Sequence, residues 1–561
     1  MYPGVSVRAV ALATAGIFAA AACGGSSNPT GGVNPAPPDK QVLRVNVDTE
    51  PSTLDPTQQS WAYEGDVGRN VFEALTRPKA DLSDVEGAAA SSWTVSADGL
   101  TWTFKIRSGE KFSDGTPVTA SDFVFGYKRL LDPTVAAPYE YNFEMVAGAS
   151  GYAGVDAKNA SAVRSFLNGL GLSAPDPKTF VIKLEHPSPY FKWITSLWVA
   201  VPLKKADVDA AGADFGAVTS DSAAKIHGNG AFVISELVPK DHITLSPSKQ
   251  YRTQPILQKV IFYYVSDGNV EFAKFQNGEL DITRGVPNPD VPTVLNDPKL
   301  SKQLLRAPTL LNYWINFNTT RAPLNNADLR LALAKSLDRD SYIKNVRKGV
   351  GTPATYFIPN GQRGYEASDI QKYDCSQAKG LLAKAKSAGV TDAQLAGIHY
   401  MYPASSARKA SSEYFQQQWK QCLGLNIIVD AVESQSYSNR VKTSVHDYWI
   451  AGVSGWQADY PDGQNWMDIF LTGSGNNYPV WSNKQYDALV QKADSAPKQT
   501  DRDAAYSQAQ KLLEREAPAM FLFQDEKFLL IAAKVRGYQR TAIDDDWIGD
   551  VATATTMYIA A

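Results

Sequence analysis

Residues 449–462, Trp-Ile-Ala-Gly-Val-Ser-Gly-Trp-Gln-Ala-Asp-Tyr-Pro-Asp, run as an apolar strand into Gly455-Trp456 and then present Asp459 between Ala458 and Tyr460. A carboxylate in such company needs a partner, because an unpaired buried ion costs several kcal/mol (roughly) once it leaves water. Three readings follow from the local sequence: a carboxylate left in water on a loop, one paired with a Lys or Arg of the chain, or one waiting for a ligand cation.

Working outward, strands and helices alternate irregularly. Gln41–Asp48 alternates apolar and polar residues as a strand does, and Asp66–Leu75 places Val67, Val71 and Leu75 on one helical face. Trp93–Val95 and Leu100–Arg107 flank Ser96-Ala97-Asp98-Gly99, a turn signal, and predict a hairpin. Thr119–Leu131 reads as a helix capped at Thr119 or Ser121 and stopped before Asp132-Pro133. Further strands are expected at 178–184, 243–246 and 425–429, and helices at 327–336, 376–388, 405–422, 484–493 and 502–515. No internal repeat is present. Interleaving of this kind suggests several α/β or α+β lobes whose sheets draw on distant segments.

The first forty residues carry an export signature. A weakly basic head to Arg8 precedes the apolar run Ala9–Ala22, too short for a permanent membrane helix, and the run ends in Ala20-Ala21-Ala22-Cys23-Gly24. Small residues before a cysteine resemble the lipobox of bacterial lipoproteins, although a larger aliphatic residue is more usual where Ala20 stands. The resemblance implies a signal peptide at 1–22 and a lipid on Cys23, with an extracytoplasmic protein anchored to the cell membrane; plain secretion is the alternative. Gly24–Lys40, rich in Gly, Pro, Ser and Asn, reads as a flexible tether, so that 23–39 form a lipidated leader to the folded chain. The two remaining cysteines, Cys375 and Cys422, form one structural disulfide in an exported protein or stay as buried thiols.

Composition narrows the function. A formal charge of −3 without basic blocks argues against nucleic acid as a partner. Twelve Trp and twenty-six Tyr are a surplus of aromatics that serves core packing first and would also suit a binding cleft. His186, His227, His242, His399 and His446 are scattered and neither Cys375 nor Cys422 sits in a CxxC, so no metal or other cofactor is expected. HExxH, GxSxG and GxxxxGK[ST] are absent. Gly452–Gly455 resembles half of a nucleophile elbow, but Trp456 fills the place that needs a small residue. Asp544-Asp545-Asp546 lacks the alternation and glycine turn of a calcium loop and reads as a solvated turn. No catalytic function is expected.

Several segments resemble the family 5 extracellular solute-binding proteins, which include the oligopeptide and dipeptide binders of ABC importers. They are Glu50–Pro56 (EPSTLDP), Trp102–Arg107 (WTFKIR), Phe112–Phe123 (FSDGTPVTASDF), Asn229–Phe232 (NGAF), Arg330–Asp338 (RLALAKSLD), Gly455–Tyr460 (GWQADY) and Met557–Ile559 (MYI), in the family's order. The likeness runs through nearly everything from Gln41 onward. It implies an α/β, two-lobed, three-domain fold like that of periplasmic binding proteins (class II, cluster C type), with discontinuous domains and hinge closure. By analogy domain I combines 40–62, 191–309 and 526–561, domain II spans 63–190 and domain III spans 310–525.

The resemblance further implies a monomeric substrate-binding protein that hands short peptides to an ABC permease. The peptide would add its backbone to Glu50–Ser52 and Gly455–Gln457 by β-augmentation, its α-ammonium would meet Asp459, and Trp456 and Tyr437 would line side-chain pockets. Ligand-contacting residues are therefore expected at Glu50, Ser52, Tyr437, Gly455, Trp456, Gln457 and Asp459. Where oligopeptide binders can carry an arginine three residues before the motif tryptophan, this chain has Val453, leaving Arg440 or Lys442 as substitutes for meeting a carboxylate. Cys375 and Cys422 would staple domain III without crossing the cleft. An oligosaccharide, metal chelate or opine in the same site is the nearest alternative, and an exported hydrolase a distant one.

Overall fold

The computed structural model describes residues 34–442, 444–543 and 555–561. The expected signal segment, Cys23, the tether as far as residue 33 and the run Asp544–Asp546 lie outside them. Residues 34–39, also expected within the flexible tether, are docked instead. Ala36 N donates to Ile559 O at 2.8 Å and Ala561 N to Asn34 O at 3.0 Å. The buried Gln41 side chain clamps both strands, donating to Ala36 O and Ile559 O at 2.8 Å each. The C-terminal residues take up the Asn34 carbonyl, while Ala36 O accepts from the Gln41 side chain and Pro37 O and Pro38 O accept from Lys40 N and Gln41 N.

Three larger sheets carry the fold. The first runs Val42–Asn46, Lys259–Tyr263, His242–Pro247, Phe232–Val238, with a parallel first pair formed by strands more than two hundred residues apart. Leu43, Val45, Ile243 and Phe262 build its core with Leu529 and Met557 from the far end of the chain. The second is antiparallel: Ala90–Val95, Thr101–Ile106, Thr179–Lys183, Leu172–Asp176. Its first two strands are the expected hairpin, turning through Gly99 at φ 74°. Helix Ala120–Leu130 packs Phe123 and Tyr127 against Phe180 of this sheet. Thr119 is its N-cap, and Asp122 accepts from both the Thr119 backbone N–H and hydroxyl at 2.8 Å.

The third sheet is mixed and six-stranded: Thr352–Pro353, Ala519–Leu530, Leu304–Phe317, Ile450–Gln457, His399–Pro403, Ile428–Val432. Its central strands are buried on both faces, which is why Met520-Phe521-Leu522-Phe523 reads as an unbroken apolar run. Phe521 and Trp314 point into one core, with Phe357, Trp466 and Tyr506. Met520, Leu522 and Ile315 point into the other, with Tyr400 and Trp419. Cys375 and Cys422 are bridged with Cα atoms 5.6 Å apart, tying helix Cys375–Ser387 to the end of helix Ser406–Leu423.

Two lobes result, and two paired strands join them. Leu304–Phe317 and Ala519–Leu530 run antiparallel from Leu304 opposite Leu530 to Asn316 opposite Ala519, with the register broken between Pro308 and Asn312. One end of this ribbon packs Leu305 and Leu529 into the first core; the other supplies Ile315 and Met520 to the six-stranded sheet. The lobes also touch directly, since Tyr460 of the second packs within the core of the antiparallel sheet. Among the described residues, no helix is long and apolar enough to cross a membrane.

Two elements differ from expectation. The helix expected at 66–75 is Ala62–Val71, because Phe72 turns extended (φ −121°, ψ 153°). Val67 and Val71 stay on its buried face, while Leu75 crosses into the neighbouring core. The strand expected at 425–429 is Ile428–Val432. After Gly424 (φ 72°) ends the helix, Leu425 and Ile427 are buried as irregular chain before pairing begins.

Candidate functional site

The strand Ile450–Gln457 has two unlike edges. One pairs with Leu304–Phe317 along its length, placing Gly455 opposite Tyr313 and Gln457 opposite Leu311. The other meets His399–Pro403 only at Ile450 and Ala451. Among the described residues no strand pairs with that edge over Ser454–Gln457. Glycine is needed at 455, where a Cβ would lie 2.6 Å from the Tyr313 ring.

The chain leaves the strand in a turn that is fixed from below. Ala458 N donates to Leu310 O at 2.9 Å, and the fully buried Arg502 pairs with Asp462 while Tyr506 donates to Asp494 at 2.6 Å. Asp459 therefore has a set position. Asn465 holds it twice, accepting from Asp459 N (2.9 Å) and donating through Nδ2 to Asp459 Oδ2 (3.0 Å). The same Asn465 Oδ1 accepts from Trp456 Nε1 at 3.0 Å, so one amide aligns the tryptophan and the carboxylate. From the opposite lobe Tyr139 donates its hydroxyl to Asp459 Oδ1 at 3.1 Å.

Burial pushes the Asp459 carboxyl up to about 6; the hydrogen bonds from Asn465 and Tyr139 and the Arg69 charge oppose that rise. Tyr139 is held well above its ordinary value by burial and by Asp459, so its hydroxyl remains a donor. Among the described residues, the second open reading of Asp459, a partner within the chain, is met by the neutral donors Asn465 and Tyr139 and by the charge of Arg69. The carboxylate keeps the capacity to take a cation.

A cavity of about 270 Å³ opens on this carboxylate between the lobes. Gly455–Asp459 form one wall. Trp61, Asp66, Arg69, Tyr139 and Trp198 form the other. Among the described lining residues, the carboxylates of Asp66 and Asp459 and the guanidinium of Arg69 leave one negative charge in excess when all are ionised, which favours a ligand with a positive group. The Arg69 guanidinium lies 5.0 Å from the centre of the Trp198 ring, and Tyr139 meets that ring edge-on at 4.8 Å.

Not every expected contact residue joins this cavity. Gly455, Trp456, Gln457 and Asp459 line it. Glu50 and Ser52 do not, and 50–52 is irregular chain without strand pairing. Pro51 has no N–H to offer, Glu50 Oε1 accepts from Lys240 N at 3.0 Å, and Ser52 gives both its N–H and its hydroxyl to Glu64 Oε1 (3.0 and 2.5 Å). Tyr437 is buried with Met401, Tyr448 and Ala451 in a small core of its own. Arg440 is engaged by Asp447, its Nε 3.0 Å from the backbone carbonyl and 3.4 Å from the carboxylate. Cys375 and Cys422 are not among the residues that line the cavity. Among the described residues no group of three or more His, Cys, Asp or Glu side chains is placed to hold a metal ion.

Four contributors carry little or no sequence signal. Asn465 is the most accessible to reasoning, a buried polar residue in the helical turn Gln464–Met467 just past the motif. Tyr139, Arg69 and Trp61 have no local signal, since Tyr139 lies 320 residues from Asp459.

Comparison with known proteins places this architecture. The model for bacterial extracellular solute-binding proteins, family 5, matches residues 84–478. The oligopeptide-binding protein OppA of Bacillus subtilis is 31% identical over 85% of this chain and 86% of its own length. The periplasmic murein peptide-binding protein MppA of Escherichia coli is 28% identical over 93% of this chain and 94% of its own. The solved structure of the Escherichia coli murein tripeptide binding protein MppA superposes with a TM-score of 0.78 at 26% identity, covering 93% of this chain and 98% of that one. Family model, sequence likeness and fold agree, and the chain belongs to the family 5 bacterial extracellular solute-binding proteins, which are binding proteins of ABC import and not enzymes.

Proposed function

We propose that this protein captures short peptides in the cleft between its lobes and presents them to an ABC permease. The observation that carries this reading is Asp459, a carboxylate set in an aromatic cavity beside a strand edge that no described strand pairs with. An α-ammonium at Asp459 forms a charge-assisted bond. The edge Ser454–Gln457 offers backbone donors and acceptors to an extended chain, giving affinity with little regard to sequence. The names of the similar proteins, oligopeptide and murein peptide binders, support the same ligand class. Glu50–Ser52 contributes through the carbonyls its internal hydrogen bonds leave free, not as a preformed strand.

The closed arrangement is then the bound form, with the ribbon broken at Pro308–Asn312 as the hinge between a lobe of domains I and II and a lobe formed by domain III (310–525). Ligand drives closure only through contacts better made when the lobes meet, and Asp459 with Tyr139 is such a place. The leader completes the proposal: cleavage before Cys23, a lipid on its sulfur, and a monomer held at the outer face of the cell membrane. Native mass spectrometry of protein lacking residues 1–23, with denaturing release of the co-purified ligand, tests the function. A ladder of short peptides is expected; a single non-peptide mass would move the ligand to the sugar, chelate or opine class.

A further inference from the structure

The cavity's aromatic residues are not alike. Trp198 is nearly fully covered, by Gly65, Arg69 and Tyr139, and Trp456 is tied through its indole N–H to Asn465. Trp61 is 60% exposed. It faces Tyr63 in a near-parallel pair at 6.3 Å, with an interplanar angle of 11°. Its backbone is nonetheless firmly placed. The fully buried Glu64 accepts from Ser60 N at 2.8 Å and Trp61 N at 3.1 Å through one oxygen, and from Ser52 N and Oγ through the other. Four bonds to one carboxylate thus hold an uncovered indole at the cavity, at the N-terminal boundary of helix Ala62–Val71. An indole left uncovered on the wall of a binding cavity offers a ligand apolar surface to cover.

We propose that Trp61 determines specificity for the first residue of the bound peptide, its indole packing on that residue's side chain and favouring an aromatic or aliphatic one. The assignment rests on the reading that Asp459 receives the α-ammonium. With the ammonium there, the first Cβ lies in the same cavity as Trp61. That cavity, about 270 Å³, falls just below the range of about 300–1,000 Å³ usual for ligand sites, so a large first residue placed in it meets its walls. Covering on the order of 50–60 Å² of indole and ligand surface is worth roughly tenfold in affinity.

The test is titration calorimetry on the whole folded chain with Phe-Ala-Ala, Gly-Ala-Ala and N-acetylated Phe-Ala-Ala, for the parent, W61A and W61F. The parent is expected to favour Phe-Ala-Ala over Gly-Ala-Ala. W61A should reduce that ratio by about tenfold, weakening Phe-Ala-Ala far more than Gly-Ala-Ala and keeping the preference for a free amine, and W61F should retain most of the ratio. An unchanged ratio in W61A, or equal weakening of both peptides, with amine preference intact, overturns the role of Trp61 alone. Equal binding of free and acetylated peptide by the parent, or no peptide binding, overturns the reading at Asp459 and with it the proposal.

Discussion

Replacing Asp459 with asparagine removes one charge and almost no volume, so it isolates what the carboxylate does. In the parent, Asp459 accepts from Asn465 Nδ2 and Tyr139 OH. An asparagine can keep one of these bonds as an acceptor, and the rotatable Tyr139 hydroxyl can turn to accept from its amide, so the fold is expected to survive. The ligand loses a charge-assisted bond. Truncating one partner of a buried, hydrogen-bonded pair costs about 2–5 kcal/mol, or roughly thirty- to several-thousand-fold in Kd. Because the cavity admits water to the carboxylate, the lower half of that range is expected.

The same group gives a signed pH dependence. In the closed arrangement burial holds the Asp459 carboxyl at about 6, above its ordinary value, so a closed form without a ligand cation keeps a proton there to higher pH. An ammonium ligand favours the ionised carboxylate, and binding therefore expels that proton. Affinity should rise with pH through about 6, falling about tenfold per unit well below, and hold level until the peptide's own α-amine begins to lose its proton near about 7.7–8.0. Calorimetry of a free-amine tripeptide between pH 4.5 and 8, in buffers of differing ionisation heat, reads both affinity and proton release. D459N should bind at least thirtyfold more weakly, show no such pH slope and no longer distinguish free from acetylated peptide. Parent-like affinity in D459N, or a flat profile in the parent, refutes the reasoning.

Tyr139→Phe deletes a donor to the Asp459 carboxylate, so the midpoint of the same binding profile should move above 6; an unmoved or lowered midpoint contradicts the hydrogen bond. Gly455→Val would press a side chain into the Tyr313 ring from 2.6 Å, and thermal unfolding should show a loss of about 1–3 kcal/mol together with weaker peptide binding. Replacing Cys375 and Cys422 with serine opens a loop of 47 residues, which the chain-entropy argument values at up to about 4 kcal/mol. A lower unfolding temperature with unaltered peptide affinity is expected, because the bridge lies outside the cavity lining.

Much of this protein is legible in its residues alone. The hairpin at Gly99, the helix begun at Thr119 and the apolar strand leading to Asp459 are set by turn chemistry, capping and alternation, which act over a few residues. Order and spacing of the matching blocks are enough to identify the family. Local patterns fail where a neighbour from elsewhere decides the outcome. Helix Ala62–Val71 stops early because Leu75 is claimed by another core, and residues 34–39 are ordered because Gln41 and Ile559 bind their backbone. Glu50 and Ser52 match the motif, yet Lys240 and Glu64 already occupy much of their hydrogen-bonding capacity.

The strand, the carboxylate and the family are therefore written in neighbouring residues, where apolar alternation and short motifs leave their mark. What surrounds Asp459 is a matter of the folded chain. Tyr139, Arg69 and Trp61 reach it from another lobe, and no periodicity records a contact that chain closure makes across 320 residues.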